Sequence, residues 1–215
     1  YIIAIGGGSS MDTAKAIGII VTNPEFADVR SLEGTADTKN PCLPIIAVPT
    51  TAGTGSETTI AAVVTGADHH KYAVSDLCLI PRCAVLDPLL TVSLPPHTTA
   101  ETGMDALTHA VEAFIGNSTT YGTRKDALLA VKLIFENLDT VYNDGSNLDA
   151  RRNMLHASFY AGCAFTKSYV GYVHAVAHSL GGQYNVPHGY ANAVILPMVL
   201  EAYGSAVYKK LDKLA

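Results

Sequence analysis

Two short apolar runs that empty into glycine and hydroxyl residues set the tightest limit on how this chain can fold. Tyr1 to Ile5 is followed at once by Gly6-Gly7-Gly8-Ser9-Ser10 and then by an alternating helical segment, Met11 to Val21. Ile45 to Val48 leads likewise into PTTAGTGSETT, residues 49–59. Uninterrupted apolar runs of this length suit strands buried on both faces in a parallel sheet. A strand, a glycine turn and a helix in that order present the helix N-terminus, with its unpaired N–H groups, to an anion. The glycines let phosphate oxygens approach the backbone, and Ser9 or Ser10 can cap the helix while donating to phosphate. The triple glycine is not the GxGxxG fingerprint and alone would also serve as a plain tight turn. A second strand ending in Thr and Gly at the same carboxyl edge strengthens the ligand-binding reading.

Further strands are expected at Ile60–Thr65 and Ala84–Leu86, after a turn-rich loop from Asn23 to Pro44. Lys71, just after His69-His70, reads as a solvated loop residue. The composition changes at DPLLTVSLPP, residues 87–96, where Pro88, Pro95 and Pro96 mark a boundary. Beyond it nearly everything reads as helix: Thr98–Ile115, then Arg124–Leu138 with an apolar stripe of Leu128, Val131, Ile134 and Phe135. Leu148–Phe165, which holds His156, a helix from Val173, and Ala191–Tyr203 follow. The expected organisation is therefore part of an α/β dinucleotide-binding domain over residues 1–92, then a helical metal- and substrate-binding domain over 93–215, with ligands in the cleft of a two-domain enzyme. A first residue already inside a strand and a last stretch still helical suggest an internal piece of a longer protein.

Composition narrows the partners. A formal net charge of −5 without any basic run argues against nucleic acid. No apolar run approaches the ~20 residues of a membrane span. The four cysteines, Cys42, Cys78, Cys83 and Cys163, lack CxxC spacing, which favours reduced thiols and a cytoplasmic location.

The helical half carries the chemistry. In GMDALTHAVE, residues 103–112, Asp105 and His109 stand four apart on a strongly helical run, so a carboxylate and an imidazole share one face. In GYVHAVAHSLGGQYNVPHG, residues 171–189, His174 and His178 are also four apart. The glycine pair Gly181-Gly182 reads as a helix stop, and His188 as part of a Pro-His-Gly turn. One Asp and up to four His can surround a divalent cation and leave a coordination position open, which is the arrangement of a catalytic ion. Spacing does not choose between His174 and His178. A zinc hydrolase built on His174-x-x-x-His178 lacks the glutamate of HExxH, because position 175 is Ala175.

Taken in order, GGGSSMDTAKAIG, PTTAGTGSE, DP…LPP, GMDALTHAVEA and H…AH…PHG resemble the iron-containing (group III) alcohol dehydrogenases, across nearly all 215 residues. The resemblant branch includes lactaldehyde reductase, butanol dehydrogenase and 1,3-propanediol dehydrogenase. The resemblance implies a dehydroquinate synthase-like fold, with a partial Rossmann-like sheet domain followed by a helical domain, and a longer parent chain. It implies a divalent metal, Fe²⁺ or in some members Zn²⁺, on Asp105, His109, His174 and His188, with His178 beside the nicotinamide and substrate. Gly7, Gly8 and Ser9 match the pyrophosphate turn, Thr50, Thr51 and Thr54 the second cofactor loop, and Lys71 a lysine near the cofactor ribose. The activity implied is reversible hydride transfer between NAD or NADP and a small alcohol or aldehyde, in a homo-oligomer of two or more copies. Zinc-dependent glycerol dehydrogenases and dehydroquinate synthases resemble the same fold, and a non-catalytic metal-binding fragment is the remaining alternative.

Overall fold

The computed structural model describes residues 1–66 and 70–215; His69, noted above beside Lys71, lies outside them. By packing, the chain divides into two units, residues 1–51 with 56–87, and residues 52–55 with 88–215.

In the first unit the apolar runs do form parallel strands. β1 (Ile2–Gly6) pairs with β2 (Ile45–Pro49) in the register Ile2 to Ile45 through Gly6 to Pro49, and β2 pairs on its other side with the short β5 (Cys83–Ala84). Between the strands runs α1 (Gly8–Thr22), which places Met11, Ala14 and Ile19 against Ala4, Ile45 and Ala47. β1 is not buried on both faces as expected. It pairs on one side only among the described residues, and Ile3 and Ile5 on its outer face are exposed. A separate antiparallel pair, β3 (Ala61–Thr65) and β4 (Lys71–Ser75), packs on α1. Lys71 therefore opens a strand and does not sit in a loop. Apolar alternation over residues 71–75 is only two residues deep, Tyr72 and Val74, and that is too short to stand out in the sequence.

The second unit is helical. α2 (Pro96–Ile115), α3 (Tyr121–Asn143), α4 (Leu148–Ser168), α5 (Tyr172–Tyr184), α6 (His188–Tyr203) and α7 (Ser205–Leu211) follow one another with short connections. α2 is the axis: every residue from Asp105 to Ile115 is buried, and α3, α4 and α6 all pack on it. A helix covered all round has no solvent face, so polar residues on it must find partners inside. The buried stripe of α3 runs through Ala127, Ala130, Val131, Ile134 and Val141, whereas Leu128 and Phe135, expected to share it, are exposed. Small alanines permit the closest approach of α3 to its neighbours, and the larger Leu128 and Phe135 fall one step round the helix from that seam. Thr120 and Thr123 form a capping box at the start of α3, and Asn147 caps α4 by accepting the Ala150 N–H at 3.0 Å.

Two expectations for the histidine segment change. Gly181 and Gly182 lie inside α5; the helix ends at Asn185, whose left-handed φ of 54° and ψ of 32° make it the terminator. His188 is not in a turn but is the first residue of α6, behind Pro187 as N-cap. The glycine after it is dictated by packing, since a Cβ at Gly189 would lie 2.1 Å from the Glu101 carbonyl of α2. No described helix is long and apolar enough to cross a membrane.

Candidate metal centre

Four of the residues singled out in the sequence converge inside the helical unit. α2 carries Asp105 and His109 one turn apart, with His109 Nε2 3.9 Å from Asp105 Oδ1. α5 delivers His174, whose Nε2 is 3.5 Å from the same oxygen, and the first residue of α6 delivers His188, Nε2 at 3.4 Å. Asp105, His109 and His174 offer donor atoms that all lie within 4.8 Å of one another. Asp105 Oδ1 lies 3.9 Å from His109 Nε2 and 3.5 Å from His174 Nε2, both within the roughly 4.2 Å that two bonds of about 2.1 Å to one cation can span. The His178 ring stands beside the cluster, its centroid 5.0 Å from that of His188 and 6.3 Å from that of His174. His109 is held flat between Phe165 (4.1 Å, 16°) and His174 (4.4 Å, 15°), so its ring plane is fixed by stacking.

The electrostatics of the cluster favour added positive charge. Burial opposes ionisation of Asp105, but His109, His174 and His188 around it outweigh burial and hold the carboxyl well below the usual carboxylate range. Burial pushes His109 down to about 3 against the pull of Asp105. Burial acts the same way on His174, yet the hydrogen bonds that its ring donates to the Asp105 and Glu112 carboxylates overcome it and raise the ring to about 9. Asn192, one turn into α6 and fully buried, makes the imbalance visible. Its amide nitrogen lies 2.8 Å from Asp105 Oδ1 and 3.2 Å from both His174 Nε2 and His188 Nε2. Two amide hydrogens thus face three polar atoms, while the Asn192 Oδ1 has no hydrogen-bond partner. The residues present therefore fit a divalent cation: one carboxylate oxygen and three imidazole nitrogens suit Fe²⁺ or Zn²⁺.

In the sheet unit, Gly7 is the N-cap of α1 with no side-chain cap, so neither Ser9 nor Ser10 caps the helix; both fall inside its first turn. Gly6 adopts φ +148°, and a Cβ there would meet Ser10 Oγ at 2.3 Å, which fixes glycine at that place. The Thr50 N–H donates to the Gly6 carbonyl, and a Cβ on Gly7 would lie 3.3 Å from Thr51 Cγ2, so the two glycine and threonine loops lie side by side. Thr51 Oγ1 is buried there without a partner, which leaves a hydroxyl beside the uncapped end of α1, suited to a phosphate oxygen. Gly8 and Ser9 open α1. Thr54 belongs to the segment 52–55, which packs with the helices, where Gly53 touches Thr102 and Gly55 touches Gly162. Lys71 stands at the start of β4, paired with Thr65.

Three residues that shape the centre escaped the sequence reading: Glu112, Asn192 and Phe165. Glu112 continues the Asp105–His109 stripe by three residues and Asn192 follows His188 by four, so helical spacing alone could have flagged both. Phe165 is on another helix and left no such trace.

Residues 1–88 match the iron-containing alcohol dehydrogenase family model, and residues 99–215 match the C-terminal model of the Fe-containing alcohol dehydrogenase family. The chain belongs to the iron-containing alcohol dehydrogenase family. Among curated relatives, it is 47% identical over 199 residues to 1,3-propanediol dehydrogenase of Klebsiella pneumoniae, covering 92% of this chain and 51% of the relative. It is 46% identical over 202 residues to lactaldehyde reductase of Escherichia coli K12, covering 93% and 52%. The chain spans about half the length of the curated relatives it matches. The solved alcohol dehydrogenase from Oenococcus oeni superposes with a TM-score of 0.95 at 43% identity, covering 99% of this chain and 55% of that one. The sulfoacetaldehyde reductase from Bifidobacterium kashiwanohense, solved in complex with NAD⁺, superposes with a TM-score of 0.90 at 34% identity, covering 100% and 58%. The fold is thus a partial Rossmann-like α/β sheet unit followed by an all-α unit, shared with structures of this family.

Proposed function

We propose that this chain is the core of a metal-dependent alcohol dehydrogenase that moves a hydride reversibly between NAD or NADP and a small primary alcohol or diol and its aldehyde. The observation that carries the reading is a single buried carboxylate oxygen, Asp105 Oδ1, with three imidazole nitrogens from α2, α5 and α6 within 3.9 Å of it. Asp105, His109, His174 and His188 would hold Fe²⁺, with Zn²⁺ the second choice for the same donors. When bound, the cation supplies positive charge that favours loss of the alcohol proton, and the nicotinamide supplies a hydride acceptor at C4. The chain's own residues do the rest. The uncapped end of α1, with Gly7, Gly8 and Ser9, takes the pyrophosphate, and Thr50, Thr51 and Thr54 supply hydroxyls and N–H groups to the cofactor. Lys71 is assigned to the ribose side of the same ligand.

His178 is half-buried at the rim of the cluster, its ring centroid 5.0 Å from that of His188. We assign it the transfer of the substrate proton to solvent, since an imidazole can accept and release a proton near neutrality. None of the four cysteines forms a disulfide, which supports a cytoplasmic location, and a homo-oligomer of two or more copies is part of the same reading.

The test is metal analysis of the anaerobically purified full-length protein, followed by NAD(P)H formation from 1,2-propanediol or butanol with Fe²⁺ supplied. One metal per chain and metal-dependent turnover are expected; full turnover after exhaustive chelation would overturn the reading. His178→Ala should keep its metal and lose activity at least 10-fold, most at low pH, where release of the proton to bulk solvent is hardest. A loss of no more than a few-fold at every pH would remove the relay role.

A further inference from the structure

Glu112 is as buried as the cluster it borders, its side chain 2% exposed, and its two carboxylate oxygens have different jobs. Oε1 accepts the Val173 N–H at 2.8 Å, and Oε2 lies 2.6 Å from His174 Nδ1. The first contact satisfies one of the open N–H groups at the start of α5, whose N-cap, Gly171, offers no side chain. The second decides which ring nitrogen of His174 carries hydrogen. An ionised carboxylate can only accept from the ring, so Nδ1 carries an N–H, and Nε2, 3.5 Å from Asp105 Oδ1, is the nitrogen whose hydrogen a bound cation would replace.

The geometry points to Glu112 as a positioning residue that fixes the tautomer and aim of His174, an inference that rests on reading Asp105, His109, His174 and His188 as metal ligands. The arrangement is economical in sequence. Asp105, His109 and Glu112 follow one another at spacings of four and three along α2, so one helix face provides two donors and also the clamp for a third donor on another helix. Gly171 completes the device, since a Cβ at that position would lie 2.8 Å from Glu112 Oε1 and push the carboxylate off its two partners. A histidine held through its remote nitrogen by a carboxylate is a stronger and better-aimed ligand than one left to solvent.

Glu112→Gln separates this role from simple helix capping, because the shape is kept and only one acceptor is lost. Either the amide NH₂ faces Nδ1 and drives His174 to the Nε2–H tautomer, or it faces the Val173 N–H and the cap is lost. The probe is Co²⁺, titrated into metal-free full-length protein and followed by its visible absorption, with the thermal melt of the metal-free form as the folding control. E112Q is expected to bind Co²⁺ about 10- to 100-fold more weakly than wild type and with an altered visible band. Unchanged affinity and spectrum in E112Q, with wild type binding one Co²⁺, would overturn the positioning role and leave the metal site standing. Failure of wild type itself to bind Co²⁺ would overturn both. Should E112Q not fold, ring ¹⁵N shifts of the Zn²⁺-loaded wild-type protein decide the matter: hydrogen on Nδ1 of His174 supports the role, and hydrogen on Nε2 ends it.

Discussion

The Lys15 ammonium in the sheet unit is enclosed by three oxygens, Thr59 O at 3.0 Å, Thr59 Oγ1 at 2.9 Å and Ala61 O at 2.8 Å. The Asp105 carboxylate in the helical unit is enclosed by nitrogens, three of them from imidazoles. Both groups are buried, and both sit in clusters with other ionisable residues: Asp12 and Glu57 around Lys15, and Glu112 and the histidines around Asp105. The first cluster brings its own cation, whose three donors meet three acceptors, and the protein closes it without help. The second has no fixed cation like Lys15, and one amide nitrogen of Asn192 is shared among three of its atoms. A buried cluster that supplies its own counter-charge is a structural clasp, and one that does not is a receptor for a charge from outside.

Removing the anchor of the acceptor cluster should have the largest effect. Asp105→Asn keeps shape but not charge, and we expect it to lose bound metal and to lower activity by more than about 100-fold. Metal analysis with turnover measurements checks this; wild-type metal content in the variant would break the contrast between the clusters. Lys15→Met should act oppositely, costing about 3 kcal/mol of stability by leaving the Thr59 and Ala61 oxygens and the neighbouring carboxylates without their cation. Denaturant melts read that loss, and metal affinity per folded molecule should stay within about twofold if the two clusters are independent.

The smallest effect concerns pH. Burial pushes the Glu57 carboxyl up to about 7, with Lys15 pulling the other way, and its Oε1 has no partner. Because the folded state then holds a proton that the unfolded chain releases near pH 4.5, this group's contribution to stability is full below that pH and is lost as pH rises toward 7. The slope is at most about 1.4 kcal/mol per pH unit. Glu57→Gln should flatten this part of the stability curve between pH 5 and 7 in melts of the two proteins. An unchanged slope would show that Lys15 and Glu57 titrate as a neutralised pair.

Much of this architecture was legible because it is periodic or punctuated. Asp105 with His109, and His174 with His178, stand at a helical repeat; the apolar runs ending in Gly6 and Pro49 announce paired parallel strands. The misreadings share one cause. On a helix as deeply buried as α2 there is no polar face to set off an inward charge, so nothing in the sequence marks Glu112 as buried. Lys15 and Glu57 hid in the same way inside polar-looking stretches. The end of α5 was placed at Gly181-Gly182 because glycine is the commoner terminator, whereas Asn185 takes the left-handed conformation here. Between His174 and His178, spacing gave no preference; in space it is His174 whose Nδ1 meets Glu112 Oε2 and whose Nε2 faces Asp105.

The stripe of Asp105, His109 and Glu112 also limits how such a protein can change over time. Each residue added to a helix turns everything beyond it by about 100°. One codon inserted or deleted between positions 105 and 109 would swing His109 and Glu112 away from Asp105 together. Substitutions around this stretch can be tolerated singly, but its length is fixed, and descendants are free to vary what lines the neighbourhood only while the count along α2 is kept.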